Sequence, residues 1–339
     1  MSHQGTIMRH RRHLPFRLPL LAIFAAAAIA LVSACASGAT ATPSGSQAAK
    51  LEVAASFYPL EYLARRVGGD RVTVRTLVPV GVEPHDWEPT ARDIVDLRAA
   101  DLLVYNGLGF EEWVDRAMES IGADGPVALD ASANIRAREE ARAPEEAEDD
   151  HADDHADDHA DDHGPVDPHV WLDPIRYGEQ AEAIAAALSE LDPANAGVYE
   201  SNLHDLLRDL TALDTEFSRG LTGCQRQVIV TAHDAFGYLV ERYGLEELSI
   251  AGIAPDAEPS PARLAVLADQ VRAAGVKYVF FEELVSARLA RTLAEEVGAR
   301  TLVLNPIEGL TAGQAAAGED YFTLMRQNLT NLRLALECT

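Results

Sequence analysis

Two segments of this chain echo one another. Glu83-Pro84-His85-Asp86-Trp87-Glu88-Pro89 and Asp167-Pro168-His169-Val170-Trp171-Leu172-Asp173-Pro174 each set an acid and a proline before a histidine, a tryptophan two residues after it, and another proline soon after. Proline fixes φ and pushes the residue before it out of the helical region. Both segments therefore read as stiff, non-helical loops that present one imidazole each from a defined backbone. A third histidine, in Thr231-Ala232-His233-Asp234, follows an apolar strand-like run. Neutral imidazole is a metal ligand. Three imidazoles plus a carboxylate or water make a tetrahedral shell that suits Zn²⁺. The expectation is that His85, His169 and His233 converge on one metal ion.

Two acids in the second half are candidates for the fourth position. Glu282 follows Phe281 at the end of a strand-like run, and Glu308 lies in Leu304-Asn305-Pro306-Ile307-Glu308-Gly309. The proline and glycine around Glu308 resemble the rigid setting of His85 and His169, so Glu308 is preferred, with Glu282 and water as alternatives.

The other histidines sort by context. His3, His10 and His13 fall in the N-terminal leader, and His204 sits among polar neighbours of a long helical pattern, where a solvated side chain is expected. His151, His155, His159 and His163 belong to a repeated His-Ala-Asp-Asp motif within residues 139–163, a stretch with thirteen acids and one arginine. Such a stretch cannot bury enough apolar surface to offset its ordering entropy and reads as disordered. Its histidines, each beside carboxylates, form a candidate low-affinity metal collector.

The elements that must position these groups alternate in βα order. Strands are expected at 51–56, 72–78, 101–106 and 127–130, with helices at 58–67, after Thr90 as N-cap (Ile94, Val95 and Leu97 facing inward), and at 111–121. A helix at 177–191 is followed by Asp192-Pro193, read as an N-cap and first helical residue of an uninterrupted helix to about residue 221. The second half repeats the order. Strands fall at 227–232, 247–251, 277–281 and 300–304, and helices at 236–243, 261–274 (Ser260 as N-cap), 286–297 and 319–336. This order implies an α/β fold: two (β/α) lobes with mostly parallel sheets, 51–192 and 222–339, joined by one long helix over 193–221. In open α/β sheets ligands bind beyond the carboxyl ends of strands. The three histidine loops, two in one lobe and one in the other, point to a cleft between lobes.

The leader carries Arg9, Arg11, Arg12 and Arg17, an apolar run over 18–31, and then Val32-Ser33-Ala34-Cys35. This fits a secretory signal over 1–34. A cysteine just after small residues resembles the bacterial lipobox, in which cleavage leaves a lipidated Cys35, and 35–50 then serves as a flexible tether. Net charge is −26, and loss of the leader's four arginines makes it −30 (−26 − 4). That balance argues against a nucleic-acid partner, which demands a basic face. Cys224 and Cys338 remain, and outside the cytosol they can form a disulfide.

Taken together, Glu83–Pro89, Asp167–Pro174, Thr231–Leu239, Glu282–Leu284 and Leu304–Leu310 resemble, in order, the metal-binding lipoproteins of bacterial ABC transporters, the cluster A-I substrate-binding proteins, and above all their zinc branch. The resemblance covers almost all of the chain after the leader. It implies metal held between lobes joined by a backbone helix, with His85, His169 and His233 as ligands and Glu308 able to complete the set. It also implies Zn(II) as transported ligand, a permease and ATPase as partners, a monomer, and a place at the outer face of the cell membrane. Manganese relatives carry an acid where His233 stands, and a manganese-binding homologue is the alternative within the family.

The chain shows no Ser-His-Asp set, no His-Glu-x-x-His and no phosphate-binding glycine loop, so no enzyme is expected. The rival class is a secreted zinc-dependent hydrolase, since three histidines and an open position would fit one. An adhesin or zinc buffer without a transporter is a further alternative.

Overall fold

Val53, Ala54 and Ala55 are buried, as a strand covered on both faces requires. They belong to β1 (Leu51–Ala55), which pairs in parallel with β2 (Val72–Thr76) and β3 (Leu102–Tyr105). β3 pairs in parallel with β4 (Val127–Asp130), so the order is β2-β1-β3-β4. The computed structural model describes residues 50–139, 166–255 and 259–339. The expected leader (1–34), lipidated Cys35, all of the tether but Lys50, and residues 140–163 with His151, His155, His159 and His163 lie outside the described residues.

Three helices cross over this sheet. α1 (Tyr58–Gly68) starts with Pro59 in its first turn and stops at Gly69, whose φ of +53° an L side chain rarely adopts. α2 (Ala91–Leu97) opens on a capping box between Thr90 and Asp93. Val95, expected on its inner side, is 69% exposed, whereas Leu97 is buried. Leu97 shares a face with Ile94, three residues earlier, and Val95 points away from both. α3 (Val114–Ile121) begins three residues later than expected, at Val114 rather than 111. Glu111 is not in the helix: its carboxylate accepts bonds from the Ser56 hydroxyl and the Asn106 and Gly107 N–H groups.

A two-stranded antiparallel pair, β5 (Arg138–Glu139) and β6 (Val166–Asp167), was not expected, and it takes Glu139 out of the acidic stretch read as disordered. Asp173 then caps α4 (Pro174–Leu191) by accepting the N–H groups of Ile175 and Arg176. The next helix corrects the sequence reading. Asp192 does not cap it. The Asp192 carboxylate is taken by the Asn195 amide (2.6 Å) and the Tyr199 hydroxyl (2.9 Å). Residues Pro193–Asn195 form a 3₁₀ turn, and α5 runs over Ala196–Gly220 instead of 193–221. Its 25 residues span about 37 Å at 1.5 Å per residue. Tyr199, Leu206, Leu210, Leu213 and Phe217 form its buried stripe, at spacings of three, four and seven.

In the second half β7 (Val228–Thr231) pairs in parallel with β8 (Glu246–Ser249). α6 (Gly237–Tyr243) and α7 (Pro261–Ala273) precede β9 (Tyr278–Phe281). After α8 (Arg288–Val297), β10 (Arg300–Val303) pairs in parallel with β9. β7 packs beside β9, which sets the β7-β8 pair alongside the β9-β10 pair. A short α9 (Ala312–Ala317) and the long α10 (Tyr321–Leu336) complete the chain.

α10 reaches back across the lobes. The Tyr321 ring stacks on Tyr177 of α4 at 4.2 Å, and its hydroxyl donates to the Trp171 carbonyl at 2.6 Å. One apolar cluster runs from Val53 through α4 and α5 to Leu336. Each large side chain so buried stabilises the fold by roughly 1.5–3 kcal/mol, so the lobes share a core. Cys224, past the end of α5, is bonded to Cys338, past the end of α10. No helix among the described residues is long and apolar enough to cross a membrane.

Candidate metal centre

The two echoing loops use the same local device. The Glu83 carboxylate accepts the backbone N–H of His85 (3.0 and 3.1 Å), and Asp167 accepts that of His169 (3.0 Å). The acid two residues before each histidine thus folds the turn that aims its ring. Asp167 is one carbon shorter than a glutamate, and its Oδ1 also lies 2.9 Å from His169 Nδ1. Each ring rests on aromatic groups. His85 meets Phe110 at 4.8 Å, and His169 meets Trp171 at 5.2 Å.

His233 stands two residues past β7, and its Nδ1 lies 2.7 Å from Glu282 Oε1 at the end of β9. Glu308 stands past β10 in a loop tied down from several sides. The Asn305 side chain accepts the Ile307 N–H, Asn328 accepts the Asn305 N–H, and Trp171 Nε1 donates to the Pro306 carbonyl at 2.7 Å. Ile307 takes a φ of +59°, an uncommon conformation for a β-branched residue, which this network holds in place.

These loops bring four atoms to one point. His169 Nε2 lies 3.3 Å from both His85 Nε2 and His233 Nε2. Glu308 Oε1 lies 3.3 Å from His85 Nε2, 3.3 Å from His169 Nε2 and 3.4 Å from His233 Nε2. The sixth pair, His85 and His233, lies within 4.8 Å. A regular tetrahedron of edge 3.3 Å has its centre about 2.0 Å from each corner, and lengthening one edge to 4.8 Å moves that to about 2.4 Å, so the cage is of the size that a zinc ion with imidazole and carboxylate ligands needs.

The tautomers follow from the outer bonds. Asp167 and Glu282 take the Nδ1–H of His169 and His233, which leaves each Nε2 with a lone pair directed inward. With those two rings neutral, their inward nitrogens and the Glu308 carboxylate are acceptors facing one another with no donor among them. His169, His233 and Glu308 are buried, and only His85 keeps contact with solvent, with 9% of its side chain exposed. A cleft of about 500 Å³, lined among others by His85, Trp87, Phe110 and Pro168, opens on that side.

Without a cation the charges adjust. Burial acts to lower the His169 pKa but is outweighed by its bonds to Asp167 and Glu308, so it lies above the ordinary imidazole range. His233 is raised further: burial again opposes, and the Glu282 and Glu308 carboxylates prevail. Burial favours a neutral Glu308, yet the three imidazoles hold it well below the usual carboxylate range. Glu83 is pushed up to about 7, first by burial and then by the Glu308 charge.

The structure thus gathers His85, His169, His233 and Glu308. Glu282, the alternative fourth group, is not among the gathered atoms, because its carboxylate is already engaged by His233 Nδ1. His204 is exposed on α5, apart from them. Sequence reading did not single out Asp167 and Glu282 as partners of the imidazoles. The acid two residues before each echoing histidine was the available signal for Asp167. Nothing local marked Glu282, 49 residues from His233.

Two α/β lobes built on parallel strands, a long backbone helix, and a cluster of three imidazoles and a carboxylate drawn from both lobes define a two-lobed solute-binding protein. Residues 53–335 match the family described as ZnuA, zinc-uptake complex component A, periplasmic, and the chain belongs to that family. It is 40% identical over 311 residues to the high-affinity zinc uptake system protein ZnuA of Bacillus subtilis, covering 92% of this chain and 95% of that one. It is 36% identical over 304 residues to the zinc-binding lipoprotein AdcA of Streptococcus pneumoniae, covering 89% of this chain but only 59% of that longer protein. The crystal structure of the Zn(II)-bound ZnuA-like domain of that AdcA has a TM-score of 0.70 and 34% identity, covering 85% of this chain and 99% of that domain.

Proposed function

We propose that this chain is the extracytoplasmic solute-binding component of an ABC importer. It takes Zn(II) into the cleft between lobes and delivers it to a membrane permease coupled to an ATPase. The ligands are His85, His169, His233 and Glu308. The observation that carries this reading is the convergence of four acceptor atoms, 3.3–3.4 Å apart along five edges, with the outer nitrogens of two rings already committed to carboxylates. With its imidazole protons displaced such a centre calls for a cation, and a nitrogen-rich tetrahedron suits zinc better than the harder manganese ion.

All four corners are protein atoms, so no position is kept for an activated water. That favours capture over hydrolysis. Cys35 carries the lipid anchor that holds the protein at the outer membrane face, and it acts as a monomer. The histidines of residues 140–163 act as a weaker collector that feeds the cleft.

Metal analysis and calorimetry of the purified protein test the assignment. One tightly held zinc per chain is expected, retained when residues 140–163 are deleted and lost in His233→Ala. A His233→Ala protein that kept its tight zinc would refute the ligand set.

A further inference from the structure

We propose that Arg138 is a positioning residue for zinc capture, a single guanidinium that sets the His169 and His233 loops against each other. This rests on the zinc reading above. Its Nη1 lies 3.0 Å from Asp167 Oδ2 and 3.9 Å from Asp234 Oδ1. Asp167 is the acid that orients His169, and Asp234 follows His233 directly in the chain. The first belongs to one lobe and the second to the other. Asp167 uses Oδ1 for the His169 ring and backbone and leaves Oδ2 for Arg138. Its side chain is 1% exposed, so without the guanidinium it would be a buried anion short of a partner.

The surroundings are shaped to keep this contact. Arg138 and Asp167 are directly opposed in the β5–β6 pair. The Tyr238 hydroxyl accepts the Arg138 N–H at 2.9 Å and donates to the Asp167 carbonyl at 2.8 Å, which clips α6 of the second lobe onto that pair. Gly237 makes the approach possible. A Cβ there would stand 1.9 Å from Arg138 Nη1 and 2.5 Å from Asp167 Oδ2. Arg138 touches no ligand ring, and its influence passes through Asp167. A freely turning Asp167 would release the His169 ring from the orientation that points Nε2 inward, and groups that hold ligating histidines in this way typically contribute about 10–100-fold to metal affinity.

The test is zinc affinity, measured by competition with a chelator, in the parent protein and in Arg138→Met, Arg138→Lys, Gly237→Ala and Asp167→Asn. Arg138→Met should bind zinc about 10–100-fold more weakly, and Arg138→Lys should recover part of that loss. In the Asp167→Asn background Arg138→Met should cost little more, because the two act in series. Gly237→Ala, which keeps a helix-forming residue and an intact Arg138, should weaken binding by displacing the guanidinium. It keeps the inference testable if Arg138→Met does not fold. Parent-like affinity in Arg138→Met or Gly237→Ala, or full additivity with Asp167→Asn, would overturn the inference. A parent protein without tight zinc would instead overturn the function proposed above.

Discussion

Glu282 Oε1 lies 2.7 Å from His233 Nδ1, whereas Glu308 Oε1 lies 3.4 Å from His233 Nε2. One imidazole thus separates two glutamates by role. The first takes the ring's proton, and the second shares the corner that the ring's lone pair faces. Glu308→Ala should therefore abolish tight zinc binding by removing a ligand. Glu282→Gln should leave four ligands and weaken binding by about 10–100-fold, as removal of an orienting partner does. Chelator competition on both variants distinguishes the roles. Equal losses would contradict the assignment.

The pH dependence should run in opposite senses with and without zinc. The folded pKa values of His169 and His233 lie above the unfolded value of about 6.5. Their contribution to metal-free stability is complete below that value and is lost as pH rises through the raised folded values. Glu308 is depressed, so its contribution is present above about 4.3 and lost as pH falls through the depressed value. Zinc must displace the imidazole protons, so its affinity rises with pH over the window in which the metal-free form weakens. The gap in Tm between zinc-loaded and metal-free protein should widen as pH rises above the unfolded imidazole value of about 6.5. A gap independent of pH would contradict the proton competition.

Trp171 ties the lobes through its bond to the Pro306 carbonyl at 2.7 Å. Trp171→Phe keeps most of the buried ring and leaves that carbonyl unpaired, at a cost of about 1–3 kcal/mol. Chemical denaturation should show the loss. Stopped-flow chelation should show faster zinc release, since Glu308 sits two residues further along the loosened loop.

The bond between Cys224 and Cys338 closes a sequence separation of 114 residues, and neither cysteine is among the gathered ligand atoms. In the chain-entropy account it stabilises the fold by about 5 kcal/mol. Cys338→Ser should lower Tm markedly while zinc affinity stays within a few-fold of the parent. A large affinity loss would mean that the bridge shapes the cleft.

Much of the fold was legible because its cues are local. The apolar runs, and Thr90 and Ser260 as N-caps, act within a turn or two of chain. Misreadings fell where a side chain was claimed from elsewhere. Asp192 could not cap α5 because Asn195 and Tyr199 hold it, and Glu111 could not begin α3 because it binds Ser56, 55 residues away. The β5–β6 pair was invisible because two residues per strand carry no periodicity.

For the metal centre, the sequence alone supplied ligand types and stiff loops: His85 and His169 from their shared Pro-His-x-Trp setting, His233 past an apolar strand, Glu308 beside Pro306 and Gly309. What it left open was which carboxylate lies among the inward nitrogens and which ones hold the outer nitrogens of the rings. That was decided by packing between lobes, where His85 meets Glu308 across 223 residues of chain. Ring tautomer, metal distance and charge depend on through-space separations of about 3 Å, and a linear pattern of residues carries no information on those until the two sheets and the helices between them have packed.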